Sequence, residues 1–199
     1  MRNTKIVAKL LLVALLLTLA LVACGTTTPT APSPSSTSVQ DHFQRGNEYA
    51  QKGEFDKAIA EYEAILQGEP DNVSAMTNLG VAYYSTGRLD DAIAQFEKAL
   101  EIAPDDADIH SNLAAAHVQK YLIDQSVDQL NTALAEYQKA VELNPSLAEA
   151  HFGMGVIYLQ MDEKERAIAA FEKFQELDKG QDQQASEAAD QYLKELKGE

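Results

Sequence analysis

The chain has 199 residues, 31 of them acidic and 16 basic, which gives a formal net charge of −15 at pH 7. A surface with this excess of negative charge is a poor partner for nucleic acid or anionic lipid, because both present negatively charged phosphates. The single cysteine excludes a framework of disulfide bonds within the chain.

The first 23 residues have the features of a secretory signal peptide. Arg2, Lys5 and Lys9 form a basic start without an acidic residue, and residues 10–23 are apolar apart from one threonine. This apolar stretch is shorter than the roughly 20 residues that a membrane-spanning helix needs. A basic start, a short apolar stretch and a small residue at its end predict a signal peptide over residues 1–23.

The only cysteine follows directly, in the sequence Leu21-Val22-Ala23-Cys24. This sequence resembles the lipobox of bacterial lipoproteins, which implies that lipid is attached to the Cys24 sulfur and that the chain is cut before Cys24. Two or more acyl chains would make such an anchor stable. Without its three basic residues before the cut, the chain would carry 13 basic and 31 acidic residues, a net charge of −18.

Residues 24–38 are predicted to link the lipid to a folded part. Thr26 to Ser38 contains only Thr, Ser, Pro and Ala, so it has no apolar periodicity and cannot bury a core. Proline-rich chain favours polyproline II at ~3.1 Å per residue, which gives this segment a reach of roughly 40 Å. A stand-off spacer and a linker of no particular purpose fit the sequence equally well.

From Val39 onward the sequence repeats, with an offset of 34 residues between its first two copies. The matched pairs in these copies are Gly46 and Gly80, Tyr49 and Tyr83, Gly53 and Gly87, Ala58 and Ala92, Tyr62 and Phe96, and Pro70 and Pro104. A third copy carries Leu113, Ala114, His117, Ala133, Tyr137, Ala140 and Pro145, and a fourth Met154, Gly155, Tyr158, Ala167, Phe171 and Phe174. The pattern resembles the tetratricopeptide repeat (TPR), a helix-turn-helix unit of this period. Arg45 replaces the usual leucine in the first copy, and Lys179 replaces the proline in the fourth.

The resemblance implies an all-α TPR solenoid of four helix-turn-helix repeats with a C-terminal capping helix. The repeats are assigned to residues 39–72, 73–106, 107–147 and 148–180, and the cap to 181–199. Small residues at matched positions allow close helix contacts, and the matched aromatic residues fill the space between helices. Gly53 and Gly87 are expected to supply a positive φ in the turn between two helices, where Asp162 stands in the fourth copy.

The third repeat is seven residues longer than the first two, and the extra residues lie between His117 and Ala133. Seven residues are close to two helical turns, so dividing them between the two helices keeps both in phase and lengthens each by about 5 Å. Tyr121, Leu122 and Ile123 are adjacent apolar residues in this insertion. They fit either a longer hairpin with its own small core or a projection that docks a partner.

No catalytic or metal-binding motif is recognisable. His110 and His117 lie seven residues apart and lack the i, i+4 spacing of a zinc-binding pair. His42, His110 and His151 occupy matched positions in three repeats, which indicates packing. We therefore expect no metal, no other cofactor and no enzymatic activity. Several acidic pairs are expected at helix starts and on solvated faces, namely Asp90/Asp91, Asp105/Asp106 and Glu61/Glu63.

In TPR proteins the first helices of successive repeats line a concave groove that holds a peptide or helix of a partner. By matched position, the groove residues implied here are Phe43, Asn47, Thr77, Asn78, Val81, Tyr84, Ser111, Asn112, Ala115, Val118, Phe152, Val156 and Leu159. Some family members clamp a partner's C-terminal carboxylate with basic residues and two asparagines. Asn47 and Asn78 match those asparagines, but Phe43, Asp108 and Asn112 occupy the basic positions. Because a buried carboxylate without a cation is costly, we expect no such clamp.

Large apolar residues at groove positions predict the chemistry of the ligand. The matched aromatic residues already fill the hairpin cores, so Phe43, Tyr84, Phe152 and Leu159 are expected to form an exposed patch for an apolar peptide or helix. The sequence thus predicts a lipid-anchored TPR scaffold that helps to assemble a complex of the bacterial cell envelope. Its expected partners are another envelope protein or peptide and the membrane, through the lipid on Cys24.

The anchor places the folded part on the non-cytoplasmic side, at the periplasmic face of an outer membrane or the outer face of the cytoplasmic membrane. The alternative function is a structural envelope module that self-associates as a homo-oligomer without a separate client.

Overall fold

The computed structural model describes residues 34–198, with side chains from residue 39 onward. This part of the chain forms nine α-helices and no β-strand, which confirms the all-α prediction. The helices are α1 (Pro34–Gln51), α2 (Phe55–Gly68), α3 (Val73–Ser85), α4 (Leu89–Ile102), α5 (Ala107–Asp124), α6 (Val127–Leu143), α7 (Ala148–Gln160), α8 (Lys164–Asp178) and α9 (Gln183–Lys197).

The described residues divide into two compact units. The first unit, residues 34–104, contains α1 to α4, and the second unit, residues 105–198, contains α5 to α9. In the first unit α1 packs on α2, α2 on α3, and α3 on α4. In the second, α5 to α9 pack in the same serial manner. Each unit therefore contains two helical hairpins, and the second has α9 in addition.

The turns inside the hairpins confirm the predicted backbone geometry. Gly53 and Gly87 have φ angles of 73° and 76°, and Asp162 has a φ of 59°. Several helices that follow longer connections have a side-chain cap at their N-terminus. The Asn72 side chain accepts a hydrogen bond from Ala75 N at 3.0 Å, and Asp106 accepts two from the first turn of α5. Both caps satisfy backbone N–H groups that have no partner within the helix.

Close helix contacts in the first unit depend on two glycines. A Cβ atom added at Gly46 would lie 2.6 Å from Tyr62 Cε1, and one added at Gly80 would lie 2.5 Å from Phe96 Cε1. Both aromatic rings are almost completely buried. The predicted pairing of a small residue on the first helix with an aromatic residue on the second is confirmed in these two hairpins.

The core of the second unit extends to the C-terminal helix. Phe171 and Tyr192 stack with ring centroids 5.1 Å apart, and Leu193 is buried in the same cluster. Tyr137 forms the centre of a second cluster with residues of α5, α6 and α7. Helix α9 covers the apolar side of α8, which is the place predicted for a capping helix.

A buried carboxylate organises the turn between α8 and α9. Asp178 is 8% exposed, and it accepts hydrogen bonds from Gly180 N at 3.0 Å, Asp182 N at 3.1 Å and Ser186 Oγ at 2.8 Å. Lys179, at the position of the missing proline, has a φ of 51°. Hydrogen bonds to the Asp178 side chain thus form this turn, where proline ends the other repeats.

Both helices of the third repeat are longer, as the insertion predicted. Helices α5 and α6 have 18 and 17 residues, whereas α3 and α4 have 13 and 14. The hairpin turns through Gln125, which has a φ of 57°. Inserted residues therefore extend the hairpin instead of forming a loop.

The N-terminal boundary differs from the predicted one. Helix α1 begins at Pro34, so the last five residues of the predicted linker are helical. Proline is well suited to the first turn of a helix, because its φ is already helical and its missing N–H needs no partner there. The predicted signal peptide, Cys24 and the rest of the linker lie outside the described residues. No helix between residues 34 and 198 is long and apolar enough to cross a membrane.

Candidate partner-binding faces

A small apolar cleft lies between α1, α2 and α3 in the first unit. Its cavity volume is about 30 Å³, it is open to solvent, and we call it the first-unit cleft. Its lining residues are Ala50, Phe55, Tyr62, Asn78, Val81 and Ala82. Val81 is 39% exposed, and α3 contains no charged residue. The cleft therefore offers an uncharged apolar surface with one side-chain amide.

Hydrogen bonds fix the two predicted groove asparagines. Tyr62 donates from its hydroxyl to Asn47 Oδ1 at 2.7 Å, and Asn78 Nδ2 donates to the same oxygen at 3.4 Å. Burial raises the pKa of Tyr62 to about 12, so its hydroxyl remains a donor at neutral pH. Asn47 is thus held by the hairpin core, and Asn78 contributes its amide nitrogen to this contact.

The remaining groove positions of the first unit are partly buried. Phe43 packs against Tyr62 with ring centroids 6.4 Å apart, and Thr77 Oγ1 donates to the Val73 carbonyl at 2.9 Å. Burial raises the pKa of Tyr84 to about 12. Only part of each of these side chains remains available to a partner.

Arg45, which replaces the usual leucine, belongs to a polar cluster. Arg45 Nε and Nη2 donate to the two Glu61 oxygens at 3.0 and 2.9 Å, and His42 Nδ1 lies 2.5 Å from Glu61 Oε2. The hydrogen bond from Arg45 lowers the pKa of Glu61 against the opposing effect of burial, and His42 lowers it further. The prediction of a solvated face was therefore wrong for Glu61.

The other acidic residues of that prediction include one that is bonded to another helix and three that lie at helix starts. Glu63 is exposed but accepts a hydrogen bond from the Tyr83 hydroxyl at 2.8 Å. Asp106 caps α5, and Asp90 and Asp91 lie in the first turn of α4, as expected of helix starts.

In the second unit, Asn112, Ala115, Val118 and Leu159 are partly exposed on α5 and α7. The other predicted groove residues there, Ser111, Phe152 and Val156, are at most 6% exposed, so their assignment to an open groove was wrong.

The reason is visible in the position that Phe152 shares with Phe43. Phe152 contacts Phe171 and Phe174 with ring centroids 5.6 and 5.2 Å apart, much as Phe43 contacts Tyr62 in the first repeat. This matched position points toward the aromatic residue of the second helix and not toward a ligand. Phe152 consequently belongs to the core that α9 helps to close.

Two acidic side chains occupy this part of the second unit. Burial and then Asp106 raise the pKa of Asp108, while burial and then Asp108 raise the pKa of Glu149. Both residues are exposed at the surface, so solvent screens these shifts strongly.

The end of the α5–α6 hairpin exposes apolar side chains. Ile123 and Val127 are 71% and 62% exposed on either side of the turn, and we call residues 123–128 the hairpin tip. Tyr121 and Leu122 are instead partly buried against the clusters of the second unit. The insertion therefore has both a small core and an exposed end, and Val127 was not recognised from the sequence.

Two histidines of α5 contact side chains of α6. His110 Nδ1 lies 2.6 Å from Glu136 Oε2, and His117 Nδ1 lies 2.6 Å from Gln129 Oε1. Within the described residues, no group of three or more His, Cys, Asp or Glu is arranged to hold a metal ion.

Repeated hairpins, with a small residue of one helix against an aromatic residue of the next, define an all-α helical-repeat protein. Four family models described as tetratricopeptide or TPR repeats match residues 43–107, 87–136, 128–162 and 148–181. These matches together span more than half of the sequence. The chain belongs to the tetratricopeptide repeat family, whose fold supports a role as a scaffold for protein–protein interaction.

Solved TPR structures resemble this fold. A structure of MamA protein is 25% identical, covers 81% of this chain and 91% of its own, and has a TM-score of 0.63. A thermophilic TPR protein of Thermus thermophilus is 21% identical over 79% of this chain and 80% of its own, with a TM-score of 0.68. The first TPR of Spaghetti (RPAP3), bound to the HSP90 peptide SRMEEVD, is 23% identical over 64% of this chain and 95% of its own, with a TM-score of 0.58. No curated protein sequence matches significantly.

Proposed function

We propose that the protein is a lipid-anchored scaffold of the bacterial cell envelope that binds an apolar segment of a partner protein during assembly of an envelope complex. Support for the anchor comes from the lipobox resemblance at Cys24 and the signal peptide pattern before it. Support for the binding mode comes from the uncharged face of α3, where Val81 is 39% exposed beside Asn78. That exposed apolar side chain is the observation that carries the proposal.

The chemistry of the first-unit cleft determines what kind of segment would bind. An aliphatic or aromatic side chain of the ligand would bury apolar surface against Val81 and Phe55, which supplies affinity. The Asn78 amide would hydrogen-bond the ligand backbone and so fix its direction. Because the lining contains no charged residue, binding would depend weakly on salt.

The acidic SRMEEVD peptide bound by the Spaghetti TPR is not the expected type of ligand. Phe43, Asp108 and Asn112 replace the basic residues of a carboxylate clamp, and Asp108 adds a negative charge. Like charges brought together without a cation oppose binding. An apolar internal segment fits these residues better than an acidic C-terminus.

The test of client binding compares two similarly exposed residues in the first unit. Val81→Asp places a charge in the cleft, whereas Ile102→Asp alters a residue of 45% exposure at the end of α4. Partners crosslinked in the envelope to the wild-type chain should be lost with Val81→Asp and kept with Ile102→Asp. Loss of the same partners with both variants, or with neither, would contradict the assignment of the cleft.

The anchor is tested independently by Cys24→Ser. This variant should lose lipid attachment and accumulate as the uncut precursor, because the predicted acceptor sulfur is absent. Metabolic labelling with a fatty acid and detergent partitioning measure both effects. A variant that matures and partitions as wild type does would refute the lipoprotein assignment while leaving client binding untouched.

A further inference from the structure

The exposed large apolar residues of the described chain lie mainly at two places of opposite shape. Four such residues are more than a third exposed, namely Val81, Ile102, Ile123 and Val127. Ile123 and Val127 project from the hairpin tip of the second unit, and Val81 lines the first-unit cleft. One place is a projection and the other is a hollow.

Both residues of the tip lie outside the core of their own hairpin. Ile123 and Val127 flank the turn at Gln125, which adopts a left-handed backbone conformation. The turn is held by hydrogen bonds from Gln125 N to the Tyr121 carbonyl and from Ser126 N to Asp124 Oδ1, both 2.8 Å long. The apolar side chains are therefore presented by an ordered turn, which lowers the entropy lost on docking.

One exposed charge beside each place has the sign opposite to one beside the other. Asp128 is exposed in the first turn of α6, next to Val127. Lys52 is exposed in the turn between α1 and α2, whose flanking residues Ala50 and Phe55 line the cleft. The other cation near this rim, Lys57, is paired with Glu54 at 2.5 Å. Lys52 forms no ion pair within 4 Å among residues 39–198, although its charge also lowers the pKa of Glu54, and Asp56 is exposed beside Phe55.

We propose that the hairpin tip of one copy docks into the first-unit cleft of a second copy, with Ile123 and Val127 against Val81 and with Asp128 beside Lys52. Both surfaces are apolar, and an exposed charge of opposite sign lies beside each. The inference goes beyond the proposed function, because self-docking requires no client protein. It shares the cleft with that function, so a client and the tip of a second copy exclude each other there.

The contact area is small, which sets the conditions of the measurement. Interfaces below about 1,200 Å² are typical of weak and transient association. Self-association is therefore expected between about 10 µM and 1 mM, and it would be favoured when a membrane anchor concentrates the chains. Sedimentation velocity of the full chain in density-matched detergent measures this equilibrium.

Single substitutions assign the two surfaces. Ile123→Asp on the tip and Val81→Asp in the cleft should each raise the dissociation constant tenfold or more, as expected for an anchor residue. Ile102→Asp should leave it unchanged. Circular dichroism checks that all three remain helical. A wild-type chain that stays monomeric at about 1 mM, or equal losses in all three variants, would overturn the proposal.

Mixing the variants provides the decisive experiment. Ile123→Asp keeps an intact cleft and Val81→Asp keeps an intact tip, so an equimolar mixture should form a one-to-one complex although neither variant associates alone. Absence of this complex would show that the tip and the cleft are not partners.

A charge exchange tests the second contact. Lys52→Glu and Asp128→Lys should each weaken association, and mixing the two variants should restore it. If mixing the two variants does not restore association, this ion pair is not part of the interface. Client capture separates the two proposals, because Ile123→Asp should still capture the partners of the wild-type chain even though it does not self-associate.

Discussion

Substitution of Gly80 by alanine tests the packing on which each hairpin depends. The added Cβ atom would lie 2.5 Å from Phe96 Cε1 and 2.9 Å from both Cδ1 and Cζ of the same ring. Phe96 is 1% exposed and has no free space to enter. Overpacking of a dense core costs about 1–3 kcal/mol, and contact with three ring atoms favours the upper end of that range.

The helix itself gains from the same change. Alanine is better than glycine inside a helix by about 1 kcal/mol, so the net loss of stability for Gly80→Ala is about 2 kcal/mol. For a chain of this size, that loss lowers Tm by about 4–8 °C. Thermal unfolding followed by far-UV circular dichroism, together with urea titration, measures the difference.

A matched control separates packing from helix propensity. Gly68 is also helical, but a Cβ atom added there would meet nothing within 4 Å. Gly68→Ala should therefore raise stability, by at most about 1 kcal/mol. Phe96→Leu should relieve part of the loss caused by Gly80→Ala, because the two residues are coupled. If Gly80→Ala were as stable as Gly68→Ala, the close approach of α3 to Phe96 would be refuted.

Three further predictions concern other buried groups. Phe152→Ala should destabilise the chain by about 3–5 kcal/mol, because its ring is 2% exposed. An unchanged Tm would refute the assignment of Phe152 to the core and support its original assignment to the binding face. Asp178→Asn should cost about 2 kcal/mol or more, because an amide keeps only one of the two oxygens that accept hydrogen bonds in the turn before α9; normal urea unfolding would show that the second oxygen is dispensable. Glu61→Gln should lower Tm at pH 7, and this difference should shrink as the pH falls below the ordinary glutamate pKa. The folded-state pKa of Glu61 is lowered, so its carboxylate stabilises the fold above the ordinary glutamate pKa and loses that effect as pH falls through the folded value. A difference in Tm that persists undiminished in acid would contradict this ion pair.

Features that repeat along the chain could be predicted from the sequence. A position occupied by glycine in two repeats and aspartate in another indicates one backbone geometry, and Gly53, Gly87 and Asp162 all have a positive φ. The matched small and aromatic residues likewise predicted the hairpin cores. The family fold followed from these repeated physical requirements, without any single motif deciding it.

The candidate site was harder to predict, because exposure depends on neighbours that differ between repeats. Phe43 and Phe152 share one position, yet α9 and Phe174 belong to the core around Phe152 alone. Ala50 and Phe55 were not assigned to a binding face, although they line the first-unit cleft. These two residues line the cleft because of the spacing of three helices, and comparing single positions between repeats gives no information about that spacing.

Glu61 shows the same limit for charged residues. Its place in the sequence indicates a surface acid, but Arg45 and His42 reach it from the preceding helix. The unusual arginine at a leucine position was the available signal. A polar residue at a normally apolar position is a reason to search the facing helix for a partner of opposite charge.

The left-handed residues have a consequence for how the chain opens. All three described non-glycine residues with positive φ, Gln125, Asp162 and Lys179, lie in the second unit, whereas the hairpin turns of the first unit use glycine. A left-handed conformation costs roughly 1–2 kcal/mol for a residue with a side chain. Amide hydrogens at these three turns should therefore exchange with solvent sooner than those at Gly53 and Gly87. The turn that presents Ile123 and Val127 is among them, so exchange at Gln125 measures how often its two hydrogen bonds open while the helices behind it stay folded.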